Sequence, residues 1–263
     1  YGLFIGGRWK ESSDGEKFDV YTPITGEKLT SCAQATSQDV DEAVDSAWAA
    51  FSSWKRTSPQ KRAEILMKIA DIIYKNKELL ATIETMDNGK PIRETMNVDI
   101  PMAADHFNYF AGAIRAEEGS ATMLDNSTLS IVLREPIGVV GQIVPWNFPF
   151  LMAAWKLAPV LASGCCTVFK PSSHTSLSVL VLAELIQDVL PEGVFNVVTV
   201  AGSKSGEYRL NHKDLARLTF TGSTEGGSSV AKEAGDRPIP STLELVGTSA
   251  NRSLDNCTID KVL

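Results

Sequence analysis

The 263-residue chain has the composition of an ordinary globular protein, with 43% hydrophobic and 22% charged residues. A chain of this length can bury one large core or two smaller ones. Its net charge is −7 and its lysines and arginines are scattered along the sequence, so we expect no nucleic-acid partner bound through a basic face.

The cysteines indicate a reducing environment. Cys32, Cys165, Cys166 and Cys257 form no CxxC pair and no disulfide framework, so we expect neither disulfides nor a metal site. No signal peptide is visible after Tyr1. These features favour a cytoplasmic protein.

Residues 136–155 carry no charge and have the length of a membrane span. Pro136, Pro145 and Pro149 interrupt the segment, however. We therefore expect a buried strand followed by a buried helix, with no membrane partner.

Residues 1–123 predict short strands followed by helices that pack on a sheet. Turn signals punctuate the first 36 residues, and Ser37 is a natural N-cap for a helix over 38–51. Ser58-Pro59 starts another helix, helical periodicity continues to Gly89, and a further helix is expected over 100–117.

Residues 124–136 predict a projecting β-arm, because Leu129, Ile131 and Leu133 alternate there with Ser130, Val132 and Arg134.

From residue 137 onward, apolar runs alternate with helical patterns. The expected strands cover residues 137–144, 165–170, 194–200, 215–221 and 241–246. Such alternation predicts an α/β fold over 137–263, with a doubly wound, parallel, five-stranded Rossmann-like sheet. Ligands of these sheets bind at the carboxyl ends of the strands.

Asn147 follows the first of these strands within Pro145-Trp-Asn-Phe-Pro149. An amide held between two prolines is suited to donate a hydrogen bond to a developing oxyanion. The alternative is a structural asparagine in a proline-rich turn.

Lys170 ends the second strand, and Ser173 is expected at the mouth of the following helix. Both suit a ribose hydroxyl or a phosphate. The alternatives are a solvated lysine and an N-cap serine.

The segment Gly222-Ser-Thr-Glu-Gly-Gly227 leads from a strand into a helix, so its backbone can approach a phosphate. Gly202 and Gly206 could line the same cleft. The alternative is a plain strand–helix turn, since the segment contains no GxGxxG motif.

Glu244 lies between Leu243 and Leu245 in an apolar strand. We expect partial desolvation to raise its pKa toward the range of a general base. A buried ion-pair partner or an outward-facing strand residue is the alternative.

Other chemistries lack their motifs. The sequence contains neither GxSxG nor HExxH, and no tyrosine is followed by lysine four residues later. His106, His174 and His212 are isolated and predict packing or surface positions. Cys165 and Cys166 fit a buried strand, where cysteine behaves as a small apolar residue.

Several strings together resemble the aldehyde dehydrogenase superfamily over essentially the whole chain. They are Phe4-Ile-Gly-Gly-Arg-Trp9, Thr22-Pro-Ile-Thr-Gly-Glu27, Glu84-Thr-Met-Asp-Asn-Gly-Lys-Pro91, Glu135-Pro-Ile-Gly-Val-Val-Gly141, the Pro145–Pro149 string, the Lys170 region and the Gly222 turn. The resemblance implies that Asn147 helps to form an oxyanion hole and that Glu244 activates water. The coenzyme-binding residues would be Ile143, Trp146, Lys170, Ser173, Gly202, Gly206, Gly222, Ser223 and Leu245.

By this resemblance the protein oxidises a small aldehyde with NAD(P)⁺ and forms homo-oligomers through the arm. A cysteine thiolate would attack the aldehyde. The family's Gly-Gln-x-Cys pattern is absent, and Cys257 lacks its surroundings. We therefore expect a truncated coenzyme-binding portion that is inactive alone. A non-catalytic nucleotide-binding or interaction protein derived from the family remains the alternative.

The sequence departs from the family pattern at a few positions. Val246 and Thr248 stand where the family has Gly and Lys, Gly226 replaces an apolar helix residue, and Arg252 occupies an apolar strand position. Many NAD-preferring relatives carry an acidic residue where Ser173 stands. We therefore expect NADP⁺ to be accepted at least as well as NAD⁺.

Overall fold

The computed structural model describes residues 1–201 and 212–247. The strands are β1 Leu3–Ile5, β2 Arg8–Lys10, β3 Lys17–Tyr21, β4 Lys28–Ala33, β5 Ser120–Met123, β6 Leu129–Val132, β7 Val139–Ile143, β8 Cys166–Lys170, β9 Phe195–Val197, β10 Arg217–Gly222 and β11 Ser241–Leu245. The helices are α1 Ser37–Trp54, α2 Pro59–Lys75, α3 Lys77–Asn88, α4 Ile92–Glu94, α5 Ile100–Arg115, α6 Pro149–Ala162, α7 Leu177–Ile186 and α8 Thr224–Asp236, with a π-helical turn over Thr95–Asp99.

The central sheet has the order β11-β10-β7-β8-β9-β1-β2. Its first five strands pair in parallel, which confirms the predicted five-stranded α/β core. When the five parallel strands are numbered 1 to 5 in chain order, from β7 to β11, their order across the sheet is 3-2-1-4-5. This is the order found in mononucleotide-binding half-sheets. Short strands were expected in the first 36 residues, but not that the β1–β2 hairpin extends the central sheet, which it does because Phe4 pairs antiparallel with Val197.

The N-terminal helices start at residues suited to capping. Thr36, rather than the expected Ser37, caps α1 through a capping box with Asp39. Ser58 caps α2, with Pro59 in its first turn as predicted. Gly89 ends α3 in the left-handed region, at φ 85°. These helices enclose one continuous core with the sheet, since α1 packs on β8 and α5 packs on both α2 and α6.

A two-stranded antiparallel hairpin projects where the arm was expected. Its strands are β5 and β6, with Ser120 opposite Val132 and Met123 opposite Leu129. The first strand therefore begins before residue 124. Leu129 and Ile131 are 53% and 59% exposed, so the described residues leave the apolar side chains of the arm uncovered.

The charge-free segment 136–155 forms strand β7 and the start of α6, as predicted. Across residues 1–201 and 212–247, no helix combines the length and the apolar character needed to cross a bilayer.

Gly193 lies in the turn before β9, where the backbone passes close to α1. Its φ is +82°, and a Cβ there would lie 2.5 Å from the backbone oxygen of Ser46 in α1. We predict that Gly193→Ala lowers the free energy of unfolding by about 2–4 kcal/mol, because left-handed strain and a backbone clash add together. Urea denaturation of the purified protein measures the change.

Gly15 provides the matched control, since its φ is +72° and a Cβ there meets nothing within 4 Å. Gly15→Ala should cost only the strain, about 1–2 kcal/mol. Equal losses from the two substitutions would refute the proposed clash with α1.

Candidate functional site

A cleft of about 780 Å³ opens between the carboxyl ends of β7 and β10. The strand order reverses at this point, which is where ligands bind in sheets of this kind. Nine predicted site residues line the cleft: Ile143, Trp146, Asn147, Lys170, Ser173, Gly222, Ser223, Glu244 and Leu245. The other two, Gly202 and Gly206, lie outside the described residues.

Asn147 lies in the irregular segment between β7 and α6, and its side chain is exposed to the cleft. It makes no side-chain hydrogen bond within residues 1–201 and 212–247, so its amide N–H groups are available to a ligand. Pro145 and Pro149 restrict the backbone on either side, and Pro149 starts α6. The arrangement suits a hydrogen-bond donor that keeps a fixed position.

Lys170 ends β8 and its side chain is buried, with 8% exposure. Burial lowers its pKa to about 8. Within the described part of the chain, Nζ has neither an ion-pair nor a hydrogen-bond partner. A buried ammonium without a partner is costly, so a polar ligand group in the cleft would stabilise it.

Ser173 is not at the mouth of a helix, contrary to the expectation from sequence. It lies in a turn that begins at Ser172, and α7 starts only at Leu177. The Ser-Ser-His-Thr-Ser run favours a turn over a helix, because these short polar side chains hydrogen-bond to nearby backbone groups. Ser173 still lines the cleft beside Lys170.

The Gly222 turn leads into the N-terminus of α8, as predicted. Ser223 caps this helix, and its Oγ accepts from the backbone N–H of Gly226 at 3.1 Å. The two preceding amides, of Thr224 and Glu225, remain at the open end of the helix. A Cβ at Gly222 would lie 2.8 Å from the Phe220 ring, so this close turn favours glycine.

Gly226 departs from the family pattern, and the structure supplies a reason. The Phe220 ring lies 2.6 Å from the position that a Cβ at Gly226 would occupy. The Phe220 ring therefore occupies the space that a side chain at Gly226 would enter. Val246 stands at the cleft wall next to Leu245 and is 64% exposed, where its side chain narrows the opening.

Glu244 is exposed, so the expected desolvation is wrong for the described part of the chain. The reason is its position in β11, which within residues 1–201 and 212–247 is an edge strand of the sheet and pairs with β10 alone. The carboxylate accepts a hydrogen bond from Thr221 Oγ1 at 2.7 Å, which fixes its orientation at the cleft.

Lys156 and His174 belong to the site but were missed from sequence. Lys156 is a buried residue of α6 that lines a second groove, of about 390 Å³, together with Glu244. Burial lowers the pKa of Lys156, while the negative charge of Glu244 opposes this shift. His174 follows Ser173 and lines the main cleft. Its place after β8 could have identified it, whereas the position of Lys156 within α6 gave no signal.

No described cysteine is an activated nucleophile. Cys32, Cys165 and Cys166 are free and buried. Burial raises the pKa of Cys166 to about 12, and it raises that of Cys32 as well. A thiol needs a lowered pKa to act as a nucleophile. Cys257 lies outside the described residues. The cytoplasmic location expected from the cysteine pattern stays a prediction.

Comparisons with known proteins agree with this geometry. A profile of the aldehyde dehydrogenase family matches residues 9–263. An acetaldehyde dehydrogenase of Pseudomonas aeruginosa is 53% identical over 251 residues, covering 95% of this chain and 50% of the relative. Aldehyde dehydrogenase B of Escherichia coli K12 is 52% identical, and the match covers 95% of this chain and 49% of the relative.

Solved structures give the same result. The NAD⁺ complex of an aldehyde dehydrogenase from Bacillus cereus superposes with a TM-score of 0.92 at 36% identity, covering 99% of this chain and 54% of that one. An indole-3-acetaldehyde dehydrogenase of Pseudomonas syringae, in complex with NAD⁺ and IAA, superposes with a TM-score of 0.90 at 37% identity. The match covers 94% of this chain and 50% of that one. The chain belongs to the aldehyde dehydrogenase family, and it spans about half the length of the curated relatives that it matches.

Proposed function

We propose that this chain is the coenzyme-binding portion of an NAD(P)-dependent dehydrogenase that oxidises a small aldehyde to a carboxylic acid. The observation that carries the proposal is the cleft at the strand-order reversal. There an amide donor, a buried lysine, a helix N-terminus and a carboxylate line one space. Membership of the family supports this assignment.

The cleft has properties that fit a dinucleotide. Its volume of about 780 Å³ is in the range of cofactor sites. Lys170 has no described partner and would bind the adenosine ribose, while the open N-terminus of α8 with Ser223 would face the pyrophosphate. Trp146, Ile143 and Leu245 offer apolar surface at the same opening. The coenzyme supplies the hydride acceptor for the oxidation.

Two side chains of this portion would act on the substrate. Asn147 would donate its amide N–H to the oxygen that becomes negative when a thiolate adds to the aldehyde. Glu244, oriented by Thr221, would accept a proton from the water that releases the acid. Lys156 lies in the adjoining groove, which Glu244 also lines.

The thiolate itself is proposed to lie outside residues 1–263, because the described thiols are buried and the sequence contains no Gly-Gln-x-Cys. A non-catalytic nucleotide-binding or interaction protein is the second candidate, favoured by Val246 and Thr248 next to Glu244. A Gly-Gln-x-Cys string in the complete gene, together with aldehyde oxidation by its product, would decide for the enzyme.

We predict that NADP⁺ binds at least as tightly as NAD⁺. Ser173 lines the cleft beside Lys170, where a carboxylate would repel a ribose 2′-phosphate. Ser173→Glu should weaken NADP⁺ binding by about tenfold or more and leave NAD⁺ binding nearly unchanged. Isothermal titration with both coenzymes measures the two dissociation constants.

Ser173→Gln is the matched control, because it adds the same bulk without charge and should spare NADP⁺ binding. Val246→Gly should tighten the binding of both coenzymes by widening the cleft. If the unsubstituted chain binds NAD⁺ clearly more tightly than NADP⁺, and Ser173→Glu does not change the ratio of the two dissociation constants, the predicted preference is refuted.

The same titrations should depend on pH through Lys170. Burial lowers its pKa to about 8, so the free protein loses this positive charge as pH rises past that value. NADP⁺ affinity should therefore be highest below pH 8 and fall above it, whereas NAD⁺ affinity should change less. In Lys170→Met, NADP⁺ binding should be weak at every pH, and a pH profile identical to wild type would contradict this role.

We predict no aldehyde oxidation by residues 1–263 alone, even with saturating coenzyme. Removal of a covalent nucleophile costs several orders of magnitude in rate, because the remaining groups supply only part of the acceleration. A spectrophotometric assay of coenzyme reduction tests the purified chain. Turnover that Cys257→Ser or the double substitution Cys165→Ser/Cys166→Ser abolishes would show that the nucleophile lies within these residues.

We also propose that the protein is a homo-oligomer, and we predict that the chain self-associates through the arm. The apolar edge of β5–β6 is uncovered in the described structure. Ile131→Lys should shift the light-scattering mass toward the monomer. Ile24→Lys is the control, because Ile24 is 59% exposed like Ile131 but lies outside the arm. A stable monomer at high concentration in the unsubstituted chain would contradict the proposal.

A further inference from the structure

Asn88, at the end of α3, and Lys90, just after it, contact the two residues that flank Asn147, which lies in the segment 145–149. Asn88 Nδ2 donates to the carbonyl oxygen of Trp146 at 2.6 Å. Lys90 Nζ lies 3.2 Å from the centroid of the Phe148 ring. The residue before Asn147 is therefore held through its backbone carbonyl, and the residue after it is held through its side chain.

A third contact holds the segment at the start of α6. The Phe150 N–H donates to Glu84 Oε1 at 3.1 Å, and Glu84 is fully buried. This N–H is in the first turn of the helix, where no intrahelical acceptor is available, and the Ncap residue Phe148 has no side chain that could accept it. The carboxyl oxygen of Glu84 therefore replaces a conventional cap.

Lys90 and the last turn of α3, which carries Glu84 and Asn88, make further contacts of their own. Lys90 pairs with the buried Asp99 at 2.6 Å, at the end of the π-helical turn. Asp87, between Glu84 and Asn88, accepts from the Leu177 N–H at 2.8 Å and so fixes the start of α7. The end of α3 is consequently joined to the starts of both α6 and α7.

Asn147 needs such support because its own side chain makes no hydrogen bond within the described ranges. Trp146 and Phe148, its neighbours, are 60% and 37% exposed, so core packing does not fix this segment. An oxyanion donor contributes to catalysis only when it is held in position before the charge develops.

We propose that residues 84–90 form a positioning clamp that sets the orientation of the Asn147 amide through Asn88, Lys90 and Glu84. The inference rests on the proposed role of Asn147 as oxyanion donor. None of the three clamp residues lines the cleft, so each acts through the segment that carries Asn147 and is a positioning residue.

The position of the segment is tested first, without reference to activity. The protein is labelled with 5-fluorotryptophan, and Trp146→Phe assigns the fluorine resonance of Trp146. Asn88→Ala should move or broaden this resonance, because the Trp146 carbonyl loses its donor. The resonances of Trp9, Trp48 and Trp54, which lie in other elements, should stay in place and report an intact fold.

Asn97→Ala is the matched control. Asn97 also donates its side-chain amide to a backbone carbonyl, that of Arg93 at 2.9 Å, but it is exposed in the π-helical turn. This variant should leave the Trp146 resonance unchanged. An unchanged Trp146 resonance in Asn88→Ala overturns the clamp, whether or not the protein oxidises an aldehyde.

Kinetics of the complete enzyme then test the link to Asn147. Asn88→Ala should lower kcat by about 10- to 100-fold and change the KM for coenzyme by no more than about threefold. In an Asn147→Ala background, Asn88→Ala should cause no further loss, because the group that it positions is gone. Losses that multiply in the double variant would show a general structural effect and overturn the proposal.

Glu84 provides a conservative rescue. Glu84→Gln keeps an oxygen acceptor for the Phe150 N–H and should retain both the Trp146 resonance and kcat, whereas Glu84→Met should lose both. Equal behaviour of Gln and Met would contradict the role of this hydrogen bond. Absence of turnover in the unsubstituted complete protein would refute the proposed function alone, since the fluorine measurement still decides the clamp.

Discussion

The parallel pairing of β7 with β10 is the constraint on which the site depends. Val140 lies opposite Arg217 and Ile143 opposite Phe220, so both strands end at the same edge of the sheet. Their continuations, the Asn147 segment and the Ser223 cap, therefore leave the sheet next to each other. The chain leaves β7 toward β8 and leaves β10 toward β11, in opposite directions, and the space between these exits is the cleft.

The N-terminal third of the chain contributes to this edge although it supplies no residue that lines the cleft. The carboxyl groups of Glu84 and Asp87 accept hydrogen bonds at the starts of α6 and α7. Burial raises the pKa of each group to about 7. Either protonation state still presents an oxygen acceptor, so both helix ends remain satisfied through neutral pH. The helices that precede the sheet thus fix the geometry of the loops that follow its strands.

The five core strands and the location of the site could be predicted from sequence, because apolar runs of strand length ended at chemically distinctive residues. Pro145–Pro149, Lys170 and Gly222 each mark the end of such a run, and parallel strands bring their carboxyl ends together. The β1–β2 hairpin could not be predicted as part of the sheet. Its strands have only three residues each, and Phe4 pairs with Val197, a contact that no local pattern encodes.

Side-chain environments were less predictable than element positions. An apolar strand suggested that Glu244 would be buried, but burial depends on what covers a strand, and β11 is an edge strand in the described part of the chain. A helix does follow Ser173 as expected, but the polar run of residues 172–176 delays its start to Leu177. The contact between Asn88 and Trp146 could not be predicted, because it joins residues 58 positions apart in sequence.

The two residues proposed to act on the substrate differ in how completely the described structure prepares them. Asn147 has a fixed backbone on both sides and an open amide, which is the condition for electrostatic stabilisation without reorganisation. Glu244 has its orientation fixed by Thr221 but remains exposed in the described part of the chain. Glu244 also lines the second groove, together with Lys156 and Thr242. Among the described residues, contacts hold the chain on both sides of Asn147, whereas Glu244 is oriented by its hydrogen bond from Thr221.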